Sequence, residues 1–179
     1  MRVCGFDCGL SGACAGIELH ASGVRIITVT DMPVTGVGSK RRVDAIGLQQ
    51  WLLEVGPHHA VIETAQPFPR QGVSSIFRYG RAAGVVEGVV AVCGIPIEYV
   101  FAAHWKRTLH LSADKEASRA LAIARFPDAH AFFARKGDHG KAEAALLALF
   151  GAQSVLRAKP DIEIPAAAPV EAPAAEVVS

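Results

Sequence analysis

Arg2-Val-Cys-Gly-Phe-Asp7-Cys-Gly-Leu-Ser-Gly12 is a short apolar run that stops on a carboxylate and then turns through two glycines. Val3 to Asp7 reads as a buried strand and Cys8 to Ala13 as a turn. Cys14 to Leu19 then returns as a second strand. Ala21-Ser-Gly is another turn, and Val24-Arg-Ile-Ile-Thr-Val-Thr30, rich in β-branched residues, is a third strand. Three strands joined by tight glycine turns make an antiparallel meander. A carboxylate at the end of a buried strand costs free energy unless something cationic meets it. Asp7 is therefore the first candidate functional residue.

Further along, Val43 to Glu54 carries Ile46, Leu48, Trp51 and Leu52 at helical spacing, and Pro57 follows it. His59 to Glu63 is a central strand that ends on a second carboxylate. Residues 66–72 form a Pro/Gly loop. Ser74 to Val92 is a long helix whose Gly80, Ala82, Ala83, Gly84 and Gly88 allow close packing. Ile95 to Val100 is a strand, His104 to Leu109 a short helix, and Ser112 caps a helix reaching Arg125. Asp138 and Glu143 bracket the start of the last helix, Lys141 to Phe150. The order predicts an α/β fold, a mixed five-stranded sheet with three antiparallel strands, then parallel ones, and helices on both faces. In such sheets ligands gather at the carboxyl ends of strands, where Asp7 and Glu63 lie.

Composition bounds the rest. The chain has 179 residues, 51% hydrophobic and 20% charged, enough for one domain with a sizeable core. Residues 1–157 form that domain. From Ala158 the sequence changes to Ala, Pro, Glu and Val without aromatics, and 158–179 is expected to be a disordered tail. Lys+Arg 18 against Asp+Glu 17 gives a formal charge of +1, but the charge is segregated. Lys40-Arg41-Arg42 and the span from Arg70 to Arg107 are basic, so one face can meet nucleic acid despite the neutral total. Lys40-Arg41-Arg42 itself reads as the solvated flank of a helix. Cys4, Cys8, Cys14 and Cys93 show no metal-finger spacing and read as free thiols of a reducing cytoplasm. No signal peptide and no membrane span are expected.

These residues together resemble the RuvC-type Holliday junction resolvases, in the form of the phage relatives. Gly5-Phe-Asp7-Cys-Gly-Leu-Ser-Gly resembles the family's opening strand and turn, and Val61-Ile-Glu63 its second acidic strand end. Phe77-Arg-Tyr-Gly-Arg81-Ala-Ala-Gly84 is similar to the long helix that follows. Trp105-Lys106-Arg107 and Ser112-Ala-Asp-Lys115-Glu116 resemble its DNA-contacting lysine segments. Gly137-Asp-His-Gly-Lys-Ala-Glu143-Ala resembles the closing acidic helix. The resemblance covers roughly residues 2 to 150 and implies an RNase H-like fold. It departs at the end. Bacterial members close with two Asp three residues apart, whereas here Gly140 stands three before Glu143. Asp138 or His139 must then complete the set. His139 is four residues from Glu143 and shares its helix face.

The resemblance implies a crossover junction endodeoxyribonuclease, a metal-dependent hydrolase that cuts branched DNA symmetrically. Asp7, Glu63, Glu143 and Asp138 would hold two Mg²⁺ ions, with Mn²⁺ as a substitute, and His139 would serve as ligand or water-positioning base. Hard carboxylate ligands suit Mg²⁺, and paired ions clamp the attacking and leaving oxygens of a phosphodiester. Phe68, Arg70, Arg78, Arg81, Lys106, Arg107 and Lys115 would contact DNA, Phe68 by stacking on bases. The two-fold symmetry of a junction calls for a homodimer, with the helix from Ser74 to Val92 as candidate interface. Two other readings share features with this one. The altered final motif fits a catalytically inactive branched-DNA-binding protein. The acid and Gly-rich turn after the first strand also occur in actin-like and sugar-kinase-type ATPases.

Overall fold

The computed structural model describes residues 1–21, 23–64, 66, 72–112 and 114–158. The meander expected from the N-terminal sequence is present as β1 (Arg2–Asp7), β2 (Ala13–His20) and β3 (Gly23–Asp31). A short hairpin follows, β4 (Val34–Thr35) and β5 (Arg42–Val43). The chain continues through α1 (Ala45–Val55), β6 (His59–Glu63), α2 (Val73–Val92), β7 (Ile97–Val100), α3 (Ala102–Thr108) and α4 (Lys115–Arg125). Two 3₁₀ turns, Pro127–Phe133 and Lys136–Asp138, lead into α5 (His139–Ala158). The main sheet has the order β3-β2-β1-β6-β7. β2 is antiparallel to both β1 and β3, while β1–β6 and β6–β7 are parallel. This is the mixed five-stranded sheet that the alternation of elements predicts.

Strand alternation divides the core. Cys4, Phe6, Ala60 and Ile62 face one way and are buried with Leu48, Trp51 and Leu52 of α1 and Ala82, Val86 and Val90 of α2. Val3 and Val61 face the other way and pack with Trp105 of α3, Ala122 of α4 and the apolar face of α5. Asp7 shares its parity with Val3, and Glu63 shares its parity with Val61. Both strand-end carboxylates therefore belong to the α5 side of the sheet.

α5 lies almost directly on the backbone of the central strands. A Cβ on Gly5 would overlap the carbonyl oxygen of Ala144, and one on Gly151 would overlap the Val61 side chain. Small residues at these contacts let the helix axis approach the sheet closely, and that approach sets where the start of α5 sits.

Several boundaries differ from the sequence reading. Val43 is a strand residue, and Asp44 caps α1 by accepting from the Ile46 N–H. Lys40-Arg41-Arg42 is consequently part of the β4–β5 hairpin rather than a helix flank. Asp114, not Ser112, caps α4, its carboxylate accepting from the Glu116 N–H at 3.0 Å. α5 begins at His139 and runs through Ala158, well beyond Phe150, because Ala142, Leu146, Leu149 and their neighbours keep it buried. The expected tail starts within that helix at Ala158, and 159–179 lie outside the described residues. Among the described residues no helix is long and apolar enough to cross a membrane.

Candidate active site

Gly5 pairs with Val61 and Phe6 with Ile62 in the parallel β1–β6 ladder. One step further along the same register, Asp7 and Glu63 come side by side at the carboxyl ends of the two central strands. Neighbouring strands lie about 4.8 Å apart, so two like charges on one face repel unless a cation joins them. The turn after β1 fixes the first of the pair. Gly12 donates its N–H to the Gly9 carbonyl, and a Cβ on Gly12 would overlap the Asp7 backbone. Only glycine lets this turn fold back against the carboxylate.

The N-terminal part of α5 closes the site from above. A Cβ on Gly140 would lie 3.2 Å from Asp7 Oδ2 and 3.4 Å from the Ser11 carbonyl. Glu143, one helical turn on, accepts a hydrogen bond from Lys106 Nζ at 2.7 Å and another from Ser118 Oγ at 3.3 Å. Trp105, fully buried, donates from its indole N–H to Glu63 Oε2 at 2.8 Å. Neighbouring residues on the short α3 thus serve the two acids: the indole holds Glu63 and the ammonium neutralises Glu143.

The acids act on one another and on their neighbours through charge and burial. Burial raises the Glu63 pKa above its ordinary 4.5; the Trp105 hydrogen bond opposes the rise, the charge of Glu143 adds to it and Lys106 opposes it. Tyr79, on α2, is pushed upward too, first by burial and then by the acidic groups of Cys8, Glu63, Asp7 and Glu143. Three carboxylates from β1, β6 and α5 therefore act on a single phenol. Among the described residues, however, no three His, Cys, Asp or Glu side chains stand ready around one point to hold a metal. Glu63 and Glu143 are turned to Trp105 and Lys106 instead. The donor set suits a hard divalent cation in its chemistry, all carboxylate oxygen beside a pair of like charges.

Glu63 yields a stability prediction. Its folded-state pKa lies above the unfolded value, so between the two the folded chain binds more protons. Stability then falls as pH rises through that window, and the penalty is fully present above it. Glu63→Gln keeps an oxygen for the Trp105 indole and removes the disfavoured charge. In metal-free buffer its thermal midpoint should exceed the parent's at neutral pH, and the two should coincide below about pH 4. Calorimetric scans at both pH values check this.

No family model matches the sequence, and no curated protein matches it. Solved structures do. Thermus thermophilus RuvC, in a complex with Holliday junction substrate, is 18% identical with a TM-score of 0.63, over 86% of this chain and 96% of that one. The fowlpox virus Holliday junction resolvase is 13% identical with a TM-score of 0.56, over 87% and 100%. The yeast mitochondrial resolvase Ydc2 is 16% identical with a TM-score of 0.56, over 87% and 80%. The fold is that of the RuvC-type resolvases, an RNase H-like sheet.

Within this RuvC-type fold the expected site residues separate into groups. Asp7, Glu63 and Glu143 come together. Asp138 is buried but committed elsewhere: it accepts from the Arg135 N–H at 2.9 Å and from the Arg135 guanidinium at 2.8 Å, with Lys141 Nζ at 3.6 Å. Those Arg135 hydrogen bonds hold its pKa below the ordinary carboxylate value. His139 opens α5, partly buried, one turn before Glu143.

Of the expected DNA contacts, Arg78 and Arg81 are exposed on α2 and Arg107 on α3. Lys106 is turned inward to Glu143. Lys115 begins α4, and its side chain, like Phe68 and Arg70, lies outside the described residues. The sequence reading did not assign Trp105 and Ser118 to the acids. A buried indole N–H needs an acceptor, and Trp105 directly precedes Lys106, so a signal existed for the first. Ser118 inside an Ala-rich helix gave none.

Proposed function

We propose that the chain is a Mg²⁺-dependent endonuclease that cuts branched DNA, Holliday junctions among it, by symmetric phosphodiester hydrolysis. The observation that carries this reading is the pair Asp7 and Glu63 on adjacent parallel strands, closed over by Glu143 of α5. Asp7, Glu63 and Glu143 would hold the ions, with His139 one helical turn before Glu143. Asp138 keeps its role as the anchor of the turn leading into α5. Bound divalent ions supply charge neutralisation for the attacking and leaving oxygens.

The chain's own groups do the rest. Trp105 fixes the orientation of Glu63. Lys106, paired with Glu143 at 2.7 Å, is placed to give up that carboxylate and meet the phosphate. Gly140 leaves room beside Asp7 that a side chain would fill.

A homodimer fits the same reading. α2 exposes Val73, Phe77 and Val92, and α1 exposes Ile46 and Leu53. Between the two helices runs an apolar groove lined by Ile46, Gly84, Val85, Gly88 and Val92. A Cβ on Gly80, Gly84 or Gly88 would meet no atom within 4 Å, so these glycines leave a flat strip for another helix. The strip is the helix named from sequence as the candidate interface.

Labelled four-way, three-way, flap and linear duplex DNA, incubated side by side with Mg²⁺, test the proposal. Paired nicks in the branched substrates and none in linear duplex are expected. Equal cutting of all four would sink branch specificity, and no cutting with Mg²⁺ or Mn²⁺ would favour the inactive binding protein. In the same assay Gly84→Glu, which places a charge in the strip, should sediment as a monomer and lose the pairing of nicks.

A further inference from the structure

We propose that the cleft between the β4–β5 hairpin and α2 is a second phosphodiester seat, which grips the DNA strand beside the phosphate held at Asp7. The inference rests on the nuclease reading above and adds to it a site made by residues of the hairpin. The cleft has a volume of about 290 Å³ and is lined by Ser11, Ser39, Arg41, Ser75, Arg78 and Tyr79. Arg42 and Arg81 line an adjoining lobe. Four hydroxyls and four guanidinium groups line the cleft and its lobe, and no Asp or Glu is among the described lining residues. That donor set is complementary to phosphate oxygens, for which the planar guanidinium is the best-fitted side chain. The volume lies just under the range of whole-ligand pockets, roughly 300–1,000 Å³, so it suits one backbone unit of a strand better than a complete nucleotide cofactor.

The cleft is built rather than incidental. Arg41 donates from Nη2 to the Leu10 carbonyl at 3.4 Å, which ties the hairpin to the turn after β1. The Arg78 guanidinium is steadied by the Ser74 carbonyl one turn back, at 3.3 Å. Gly36, at φ +84°, bends the hairpin where a Cβ would crowd the Lys40 backbone.

Two residues join cleft and active site. Ser11 lines the cleft, and its carbonyl sits beside Gly140 and so next to Asp7. Tyr79 also lines the cleft and senses the charges of Asp7, Glu63 and Glu143. A strand leaving the acidic site past Ser11 and Tyr79 therefore runs straight into the arginines. The tripeptide Lys40-Arg41-Arg42, whose charge has no role as a helix flank, acquires one here.

The test is DNA binding in the Asp7→Asn background, so that cleavage does not intrude. Anisotropy of a labelled four-way junction, a single strand and a linear duplex is followed from low to moderate salt. Arg41→Ala and Arg78→Ala should each weaken junction binding about tenfold. Together they should lower the slope of log K against log salt by about 2. Arg125→Ala, an exposed arginine of α4, should change binding less than about twofold. Loss on the single strand as well as the junction identifies the seat as a strand contact; loss on duplex alone overturns that assignment. Arg41→Ala also removes the Leu10 tether, so Arg78→Ala decides if the first variant melts early. A double variant that binds the junction with an unchanged slope overturns the cleft and leaves the nuclease reading standing. A parent that binds no DNA overturns both.

Discussion

Asp7→Asn should leave the protein folded and able to bind junction DNA while cleavage falls by at least about 100-fold, the upper end of what losing even an outer metal partner costs. Asp7 ends β1 on the α5 side, and the register of the parallel ladder puts it beside Glu63. Gly12 and Gly140 lie close on either side of it, where a Cβ would meet the Asp7 backbone or carboxylate. Asparagine keeps the shape and one oxygen but loses the charge that would bind a divalent ion. The fold should tolerate the change, because removing one of two adjacent like charges relieves repulsion. Cleavage of a labelled junction under single-turnover conditions, paired with anisotropy binding, reads both halves. Full activity would exclude Asp7 from the chemistry and with it the metal-site reading. Loss of binding together with cleavage would instead mark it as a structural residue.

The sheet was legible because its signals are local. Gly-rich turns between β-branched runs specify a meander, and an apolar run ending on an acid specifies a buried strand. The strand-end positions of Asp7 and Glu63 were legible for the same reason. The hairpin at Val34–Thr35 and Arg42–Val43 was not, since two-residue strands carry no periodicity and Val43 merged into the apolar pattern of α1. That merger also hid the place of Arg41, whose guanidinium reaches the Leu10 carbonyl, 31 residues away.

The acidic end of the site shows a different limit. Spacing alone made Asp138 and His139 equal competitors. Invisible to spacing is the 3₁₀ turn before α5, where Arg135 donates to both carboxylate oxygens of Asp138. Lys106, read as a phosphate contact, is drawn to Glu143 by a fold that brings residues 37 apart to 2.7 Å.

Gly5→Val should be severely damaging to the fold, and its effect on cleavage should exceed its effect on stability. A Cβ at position 5 overlaps the Ala144 carbonyl, and it also meets Leu147 Cβ at 2.9 Å. Neither obstacle is the far end of a flexible side chain, so relief requires moving α5 itself. Overpacking where side chains can adjust costs about 1–3 kcal/mol; a backbone obstacle belongs at or above the top of that range. For a chain of this size, about 3 kcal/mol corresponds to a fall in thermal midpoint of roughly 6–12 °C. The same displacement carries Gly140 and Glu143 away from Asp7, because all three positions depend on how closely α5 lies on β1. Thermal unfolding followed by circular dichroism, and junction cleavage at a temperature where the variant remains folded, measure the two effects separately. A variant that melts within a few degrees of the parent and cuts at its rate would show that the α5–β1 approach does not set the geometry of the acids. Folded protein with lost cleavage would tie the two glycine-lined contacts, at Gly5 and at Gly140, into one device that brings the third carboxylate to the strand ends.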